Sequence, residues 1–250
     1  MKKRKDVGAV KRYQNYLFDL YGTLVDIHTR EDSPALWRRF SVYLAMEGAA
    51  YPPEALREMY LQGVKEMEGS ARSGMEPGAF PEIDLEPLFR RFYTGRGVEA
   101  GREDAARLAR VFRALSLEKL RLYDGAEALL DRLHRAGKRV FLLSNAQALF
   151  TRPELRALGL EDRFDGSMLS SEVGRKKPDP AFYRAMLEKY GLRPEETVMI
   201  GNDDRADCHG AARAGLDSMY IFTEQSPACQ QPLPPNCRRL HTILDAADGL

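Results

Sequence analysis

The strongest constraint on the fold of this chain is a short apolar, aromatic-rich segment that ends in a carboxylate and then turns sharply. Residues 15–18 form a predicted strand, Asp19 follows it directly, and Gly22 and Thr23 mark an abrupt turn. A carboxylate at the carboxyl end of a buried strand is costly unless it is paired, bound to a metal or catalytic. Because Asp also ends strands simply to begin a turn, this segment alone leaves both interpretations open.

Three further polar clusters stand next to predicted strands and helices in the second half of the chain. Their positions are Ser144 and Asn145 after the strand 139–143, the segment 176–180 at the start of a helix, and the segment 202–207 after the strand 197–200. The carboxyl ends of parallel strands meet at one edge of a sheet. The four clusters together therefore predict a single crevice.

The alternation of helices and strands predicts the fold class. From residue 124 onward, helical patterns end at Gly137, Gly159, Gly191 and Gly215, and most precede a strand, which indicates βαβ units and a parallel sheet. The last predicted strand is 218–222, and the Pro- and Gln-rich segment 226–236 is predicted to be an irregular surface loop. Between the two α/β parts lie four helical patterns without a convincing strand, at 32–43, 53–68, 85–94 and 103–115, with a loop at 69–81.

The composition excludes several classes of partner. The 38 Lys and Arg residues nearly cancel the 37 Asp and Glu residues, so no overall field favours nucleic acid. The basic start, Met1–Lys5, lacks the apolar stretch of a signal peptide and is interpreted as a solvated tail, and no apolar run approaches the ~20 residues that span a bilayer. Three cysteines do not suit a disulfide framework. We expect a cytoplasmic protein with a small-molecule substrate and neither a nucleic-acid nor a membrane partner; monomer and dimer both stay open.

The four clusters, taken in order, resemble the haloacid dehalogenase-like hydrolase superfamily. The order is Asp-x-Tyr-Gly-Thr, then Ser-Asn, then Lys-Pro-Asp-Pro, then Gly-Asn-Asp-x-x-x-Asp. The resemblance implies an α/β fold with a Rossmann-like parallel sheet core, formed by residues 13–28 and 122–250. It also implies that residues 29–121 are an inserted all-helical cap domain.

The resemblance implies roles for the polar residues around the predicted nucleophile. Asp19 would attack the substrate and form an aspartyl ester. The turn at Thr23 would let the backbone approach a phosphate, Ser144 would bind the transferring group, and Asn145 would help to orient it. A cation must compensate the carboxylates, and Lys177, directly before Pro178, is favoured over its neighbour Lys176.

The acidic segment after the second predicted strand implies a magnesium site. Asp203 is predicted to bind Mg²⁺ beside Asp19 and the backbone carbonyl of Tyr21, with Asp207 helping through water or hydrogen bonds. The register is open by one residue, because Asn202 aligns with an Asp of many relatives. A helix-capping role for Asp203 or Asp204 is the structural alternative.

Tyr21 departs from the pattern of most phosphatases of the superfamily, which place a second Asp there as general acid and base. A phenol with a pKa of ~10 is a poor base at neutral pH. The same motif resembles the 2-haloacid dehalogenases, in which Arg38 would bind the substrate carboxylate and halide leaves without a proton. The acidic cluster favours a magnesium-dependent phosphatase that acts on a small phosphorylated metabolite through an aspartyl-phosphate intermediate, with Asp19, Tyr21 and Lys177 as catalytic residues. A dehalogenase-type hydrolase and a non-catalytic binding protein remain the alternatives.

Overall fold

The protein is described by a computed structural model that covers residues 13–229, 231–248 and 250, so the predicted basic tail Met1–Lys5 lies outside the described residues. Its strands are β1 Asn15–Phe18, β2 Val25–Thr29, β3 Leu117–Leu122, β4 Arg139–Ser144, β5 Gly166–Leu169, β6 Thr197–Gly201, β7 Asp217–Ile221 and β8 Cys237–Leu240. Its helices are α1 Pro34–Met46, α2 Pro53–Ser73, α3 Glu86–Thr94, α4 Arg102–Ser116, α5 Ala126–Arg135, α6 Ala148–Ala157, α7 Ser170–Val173, α8 Pro180–Tyr190 and α9 Gly210–Arg213.

Six strands form one parallel sheet in the order β5-β4-β1-β6-β7-β8. Strand β1 lies in the middle, where Phe18 pairs with Leu142 of β4 on one side and with Ile200 of β6 on the other. Because these strands run in the same direction and in register, the residues that follow them emerge at one edge of the sheet. The predicted α/β fold with a parallel sheet is confirmed.

Both faces of the sheet are covered, which is why its strands are apolar throughout. Side chains alternate along a strand, so Tyr16 and Phe18 pack on the face that α5 covers, whereas Leu17 packs on the opposite face. On that opposite face Phe182 and Tyr183 of α8 are fully buried. The central strand therefore holds its end, and with it Asp19, in a fixed position.

Helices α1 to α4 have a hydrophobic core of their own, built largely from aromatic rings. Phe40 and Phe112 lie 5.3 Å apart between ring centroids, and Trp37 lies 5.5 Å from Phe112. Phe150 of α6 joins this cluster from the sheet side, 5.8 Å from Phe89. The two groups of helices thus share a packed boundary, and the domain limits at residues 28/29 and 121/122 stay a prediction.

The structure contains strands that the sequence patterns did not indicate. β2 and β3 pair as an antiparallel ribbon at the two points where the chain enters and leaves the helical insertion, so the expectation of no strand there was wrong at its C-terminal end. Asp26 of β2 is fully buried and pairs with Lys119 at 2.9 Å and Arg121 at 3.0 Å on β3. The polar residues that this ion-pair network requires hid the strands from a search for apolar runs.

Two other differences concern element ends. The loop predicted at 69–81 begins later, because α2 continues to Ser73. Gly69 lies within this helix on a side where an added Cβ would meet open space. The strand ending near residue 222 is not the last one, since β8 adds the sheet's edge beyond it. Within the residues that the structure describes, no helix combines the length and apolar character that a membrane crossing requires.

Candidate active site

The ends of β1, β4 and β6 surround a polar cleft of about 190 Å³. Asp19 follows β1, Ser144 ends β4, and Asn202 and Asp203 follow β6, so the predicted convergence of the four clusters is observed. The lining residues are Asp19, Tyr21, Ser144, Asn145, Lys177, Asn202, Asp203, Ala206, Asp207, Gln225 and Pro227.

A buried lysine lies at the centre of the cleft. Lys177 is 3% exposed, and its Nζ atom donates to Asp19 Oδ1 at 2.6 Å, to Asp207 Oδ1 at 2.8 Å and to the carbonyl oxygen of Leu143 at 2.9 Å. All three donor positions of the ammonium are therefore satisfied. Asp19 Oδ1 also accepts from Ser144 Oγ at 3.1 Å, whereas Oδ2 accepts no hydrogen bond from the described part of the chain.

Opposing effects determine the protonation of this cluster. Burial alone would lower the pKa of the Lys177 ammonium, but the adjacent carboxylates of Asp19 and Asp207 outweigh burial and hold that pKa above its ordinary value. Burial raises the pKa of the Asp207 carboxyl, and the nearby charge of Asp19 adds to that effect. Lys177 is thus the compensating cation of the site.

The structure distinguishes between the two adjacent lysines. Asn145 Nδ2 donates to the carbonyl oxygen of Lys177 at 2.8 Å, and the amide of Lys177 donates to Asn145 Oδ1 at 2.7 Å, so one side chain fixes the backbone of Lys177 in both directions. Lys176 points elsewhere, with Nζ 3.8 Å from Glu82. Asp179 caps α8 by accepting from the amide of Ala181.

The turn after β1 fits closely against the segment after β6. Gly22 has a φ of +82°, and a Cβ atom there would lie 2.3 Å from Asn202 Nδ2. Asn202 is held in turn by Thr23, whose Oγ1 donates to Asn202 Oδ1 at 3.3 Å. Thr23 is thus buried behind Asn202, and its contribution to substrate binding stays a prediction.

Asp203 caps a π-helical segment, Asp204–His209, and Asp207 lies within that segment. Asp203 Oδ1 accepts from the amides of Arg205 and Ala206, which is the capping role considered as the alternative. Asp207 Oδ2 accepts from the amide of Asp203 at 3.0 Å, while its Oδ1 contacts Lys177. Both oxygens of Asp207 are therefore already engaged.

The cleft offers hard oxygen ligands for a divalent cation. Among the described residues, no group of three or more His, Cys, Asp and Glu side chains is placed to hold a metal ion. Asp19 and Asp203 nevertheless line one cleft, and each makes its hydrogen bonds within the described chain through Oδ1 alone. Mg²⁺ is commonly bound by one or two carboxylates and completes its shell with water and substrate phosphate. The donor set fits such an ion.

The side chain of Tyr21 is bound to helix α6. Its hydroxyl donates to Glu154 Oε2 and lies 2.9 Å from Thr151 Oγ1. Burial and the charge of Glu154 raise the pKa of the Tyr21 phenol above its ordinary value. Glu154 Oε1 lies 2.8 Å from Arg113 Nε of α4, so the contact extends from β1 into the helical insertion. This environment makes Tyr21 an even poorer base than the sequence indicated.

Arg38 is not brought into the cleft. It lies exposed on α1, beside a surface groove that includes Val42 and Met46. The reason is the helical repeat: Leu36, Trp37 and Phe40 face the aromatic core of α1–α4, which places Arg38 outside it.

Two groups of residues near the site were missed by sequence reasoning. Gln225 and Pro227 line the cleft from the loop after β7, and Gln225 Nε2 also donates to the buried Asp26 at 2.7 Å. Thr151 and Glu154 hold Tyr21 from α6. No short motif marks these positions, because their role arises only from chain segments that meet in the fold.

Comparisons with known proteins agree with this geometry. The profile of the haloacid dehalogenase-like hydrolase family matches residues 13–215. The chain is 37% identical over 100 residues to a phosphoserine phosphatase from Thermus thermophilus, covering 40% of each protein, and 31% identical over 206 residues to a phosphoglycolate phosphatase from Rhodospirillum rubrum, covering 80% of this chain and 76% of that one. The chain spans about half the length of several curated relatives that it matches, between 40% and 54% of each.

Structural comparison shows the same fold in solved proteins. A 2-haloacid dehalogenase from Pseudomonas syringae superposes with a TM-score of 0.64 over 94% of this chain and 96% of that one, at 20% sequence identity. At this identity the likeness concerns the fold alone.

Proposed function

Because this chain belongs to the haloacid dehalogenase-like hydrolase family, we propose that it is a magnesium-dependent phosphatase that hydrolyses a small phosphorylated metabolite. The observation that carries the proposal is the pairing of Asp19 with Lys177 and Ser144 in a cleft that also holds Asp203. The phosphatases among its relatives support the reaction class.

Asp19 acts as the nucleophile. Lys177 and Ser144 both bind Oδ1, which orients the carboxylate and leaves Oδ2 available to attack phosphorus. The bond from phosphorus to the leaving oxygen breaks as the aspartyl-phosphate bond forms, and water then attacks that intermediate to release phosphate and restore the carboxylate. Asp19, Asp203 and the backbone carbonyl of Tyr21 would hold Mg²⁺, which would supply positive charge for the phosphoryl oxygens.

Lys177 and Asn145 prepare the site before substrate arrives. The ammonium binds two buried carboxylates, Asp19 and Asp207, at close range and compensates part of their charge. Asn145 fixes the lysine's backbone on both sides, so the ammonium needs little reorganisation during the reaction. Asp207 contributes indirectly, by holding both Lys177 and the amide of Asp203.

The position of Arg38 argues against the dehalogenase alternative. That alternative requires Arg38 to bind a substrate carboxylate, and its side chain lies exposed on α1 outside the lining of the cleft. Asp203, in contrast, lines the cleft and supplies the acidic ligand that a metal-dependent reaction needs.

The test is a panel of phosphate esters and 2-haloacids, assayed with Mg²⁺ and with excess chelator. We expect phosphate release that depends on Mg²⁺, and its loss in the folded Asp19→Asn variant, since an amide of the same shape is a poor nucleophile. Turnover of 2-haloacids in excess chelator would establish the dehalogenase instead. Tight binding of phosphate analogues without any turnover would establish a binding protein.

A further inference from the structure

A second cavity, of about 410 Å³, adjoins the cleft that holds Asp19. The two share Asn145, Lys177, Asp203 and Ala206 in their walls, so they lie side by side. A volume of this order is the size of a small-molecule site. The second cavity thus extends from the reacting centre toward the helical insertion.

The outer wall of this cavity is held by main-chain contacts. Phe80 belongs to the segment between α2 and α3; its carbonyl accepts from the amide of Lys176 at 2.9 Å, and its amide donates to Asp179 Oδ2 at 3.3 Å. Two residues on, the amide of Glu82 donates to the carbonyl of Gly174 at 3.0 Å. Two of these contacts join main-chain atoms, and the third is made to the buried side chain of Asp179, so together they hold residues 80–82 against the segment 174–179.

The charges that line the cavity do not all have partners. Lys177 is neutralised by the carboxylates of the cleft, and Lys176 lies 3.8 Å from Glu82. The guanidinium of Arg205, in contrast, lies over the ring of Phe80, 5.5 Å from its centroid, and forms no hydrogen bond or ion pair with the residues that the structure describes. Arg205 is exposed, and the hydrogen bonds that the structure describes for it involve its backbone, whose amide donates to Asp203 Oδ1 and whose carbonyl accepts from the amide of Gly210. A guanidinium that has no charged partner among the described residues is suited to bind an anion.

We propose that this cavity binds the leaving group of the substrate and that Arg205 makes the site select a leaving group with a second anionic group, a carboxylate or a phosphate. The inference rests on the proposed phosphatase function. The reacting phosphoryl group occupies the Asp19 cleft, and the second anion contacts the guanidinium, which the ring of Phe80 supports from behind. Arg205 is thus a specificity-determining residue rather than part of the chemical step.

The experiment compares substrates that differ only in the second anion. Phosphoglycolate carries a carboxylate, ethylene glycol bisphosphate carries a phosphate, and 2-hydroxyethyl phosphate carries a neutral hydroxymethyl group in the same place. We expect kcat/KM to be higher for at least one of the anionic esters than for the neutral one by about tenfold or more, the value of a hydrogen bond to a charged group. Which anion gains more identifies the preferred class.

The Arg205→Gln variant tests the assignment, since it removes the charge and keeps the backbone amide that donates to Asp203. We expect the ratio of kcat/KM between anionic and neutral esters to fall about tenfold. Arg205→Lys, which keeps the charge, should retain part of the preference. Arg184→Gln is the matched control, because Arg184 is exposed on α8 and does not line the cavity.

A ratio near one in the native protein, or a ratio unchanged by Arg205→Gln, overturns the inference. So does a stronger preference for a nucleoside monophosphate that Arg205→Gln leaves intact, since the cavity would then hold a base. Calorimetric binding of the same three esters to the Asp19→Asn variant repeats the comparison without turnover. If the native protein hydrolyses no phosphate ester, including para-nitrophenyl phosphate, the proposed function fails, and the binding ratio still decides the role of Arg205.

Discussion

Two buried clusters of charged residues lie near Tyr21, and they differ in how completely the cation of each cluster is hydrogen-bonded. In the cleft, the Lys177 ammonium makes three hydrogen bonds, two of them to carboxylates. At the boundary with the helical insertion, Arg113 Nε approaches Glu154 Oε1 to 2.8 Å, yet neither atom has hydrogen-bond geometry with any partner in the part of the chain that the structure describes. The second cluster is stabilised by packing instead, because the Arg113 guanidinium lies over the Phe150 ring, 4.4 Å from its centroid.

The difference indicates different roles. A buried cation with complete hydrogen bonding is pre-organised for chemistry, whereas one with an imperfect contact holds two surfaces together and tolerates small displacements. Glu154 connects Tyr21 of the sheet side with Arg113 of α4, so we call Tyr21, Glu154 and Arg113 the boundary cluster. Four substitutions test the comparison between it and the cleft.

The largest effect is expected from Lys177→Met. Removing the ammonium leaves Asp19 and Asp207 buried without a cation, which should lower the free energy of unfolding by about 3–5 kcal/mol and abolish activity. Urea denaturation measures the first effect. Lys176→Met is the matched control, and its stability should change by less than about 1 kcal/mol, because Lys176 is partly exposed and 3.8 Å from its acidic partner.

A double variant separates the effect of losing the charge of Lys177 from the effect of changing its packing. If uncompensated charge causes the loss, adding Asp207→Asn to Lys177→Met should restore part of the stability. If the double variant loses as much free energy of unfolding as the two single variants together, the cleft requires the packing of the lysine stem rather than its charge.

Arg113→Met should have a smaller effect, about 2 kcal/mol, because the Arg113 side chain is 17% exposed and water partly screens its charge. Arg110→Met, an exposed position on the same helix, should change stability by less than about 0.5 kcal/mol. A loss as large as that of Lys177→Met would erase the distinction between the clusters.

Tyr21→Phe removes one hydroxyl from the boundary cluster and should cost about 1–2 kcal/mol of stability, since Glu154 loses a donor but keeps Arg113. Activity on para-nitrophenyl phosphate should remain within about threefold. A fall of ~100-fold or more at unchanged folding would establish the Tyr21 hydroxyl as an acid or base in the reaction, as the sequence led us to consider.

The smallest effect is a pH dependence. Burial raises the pKa of the Glu154 carboxyl above its ordinary value, and Arg113 and Tyr21 only partly oppose this. The folded state therefore holds the proton more tightly than the unfolded state. Stability from this residue is present at pH values below about 4.5 and is lost as the pH rises through the raised pKa.

Glu154→Gln removes that titration. We expect the melting temperature of the native protein, relative to this variant, to decline as the pH rises from about 4.5 toward neutrality. Parallel melting curves across this range would show that Glu154 titrates normally.

The clusters also differ in how far the sequence revealed them. Asp19, Ser144, Lys177 and Asp203 each follow or flank an apolar segment of clear periodicity, so their convergence followed from the rule that parallel strands end at one edge. The boundary cluster has no such signature. Glu154 lies within a helix beside Arg152 and Arg156, and nothing local distinguishes it from a solvated carboxylate.

The fold shows the same limit. The sheet's inner strands were apparent because both faces are buried and their residues are apolar. Strands β3 and β8 carry charged residues such as Lys119, Arg121 and Arg239, since they lie at an edge or in a two-stranded ribbon. Partly exposed strands resemble loops in composition, and only their pairing partners identify them.

The contact between Gly22 and Asn202 has a consequence for how this sequence can diverge. Gly22 is constrained twice, by a φ of +82° and by an amide 2.3 Å from where its Cβ would lie, and these constraints originate from parts of the chain about 180 positions apart. A smaller residue at position 202 would relieve the second constraint and leave the first intact. Mutational drift can therefore alter Asn202 while Gly22 stays glycine, but not the reverse. Among descendants of this sequence, position 22 should remain glycine even where the residue at position 202 changes.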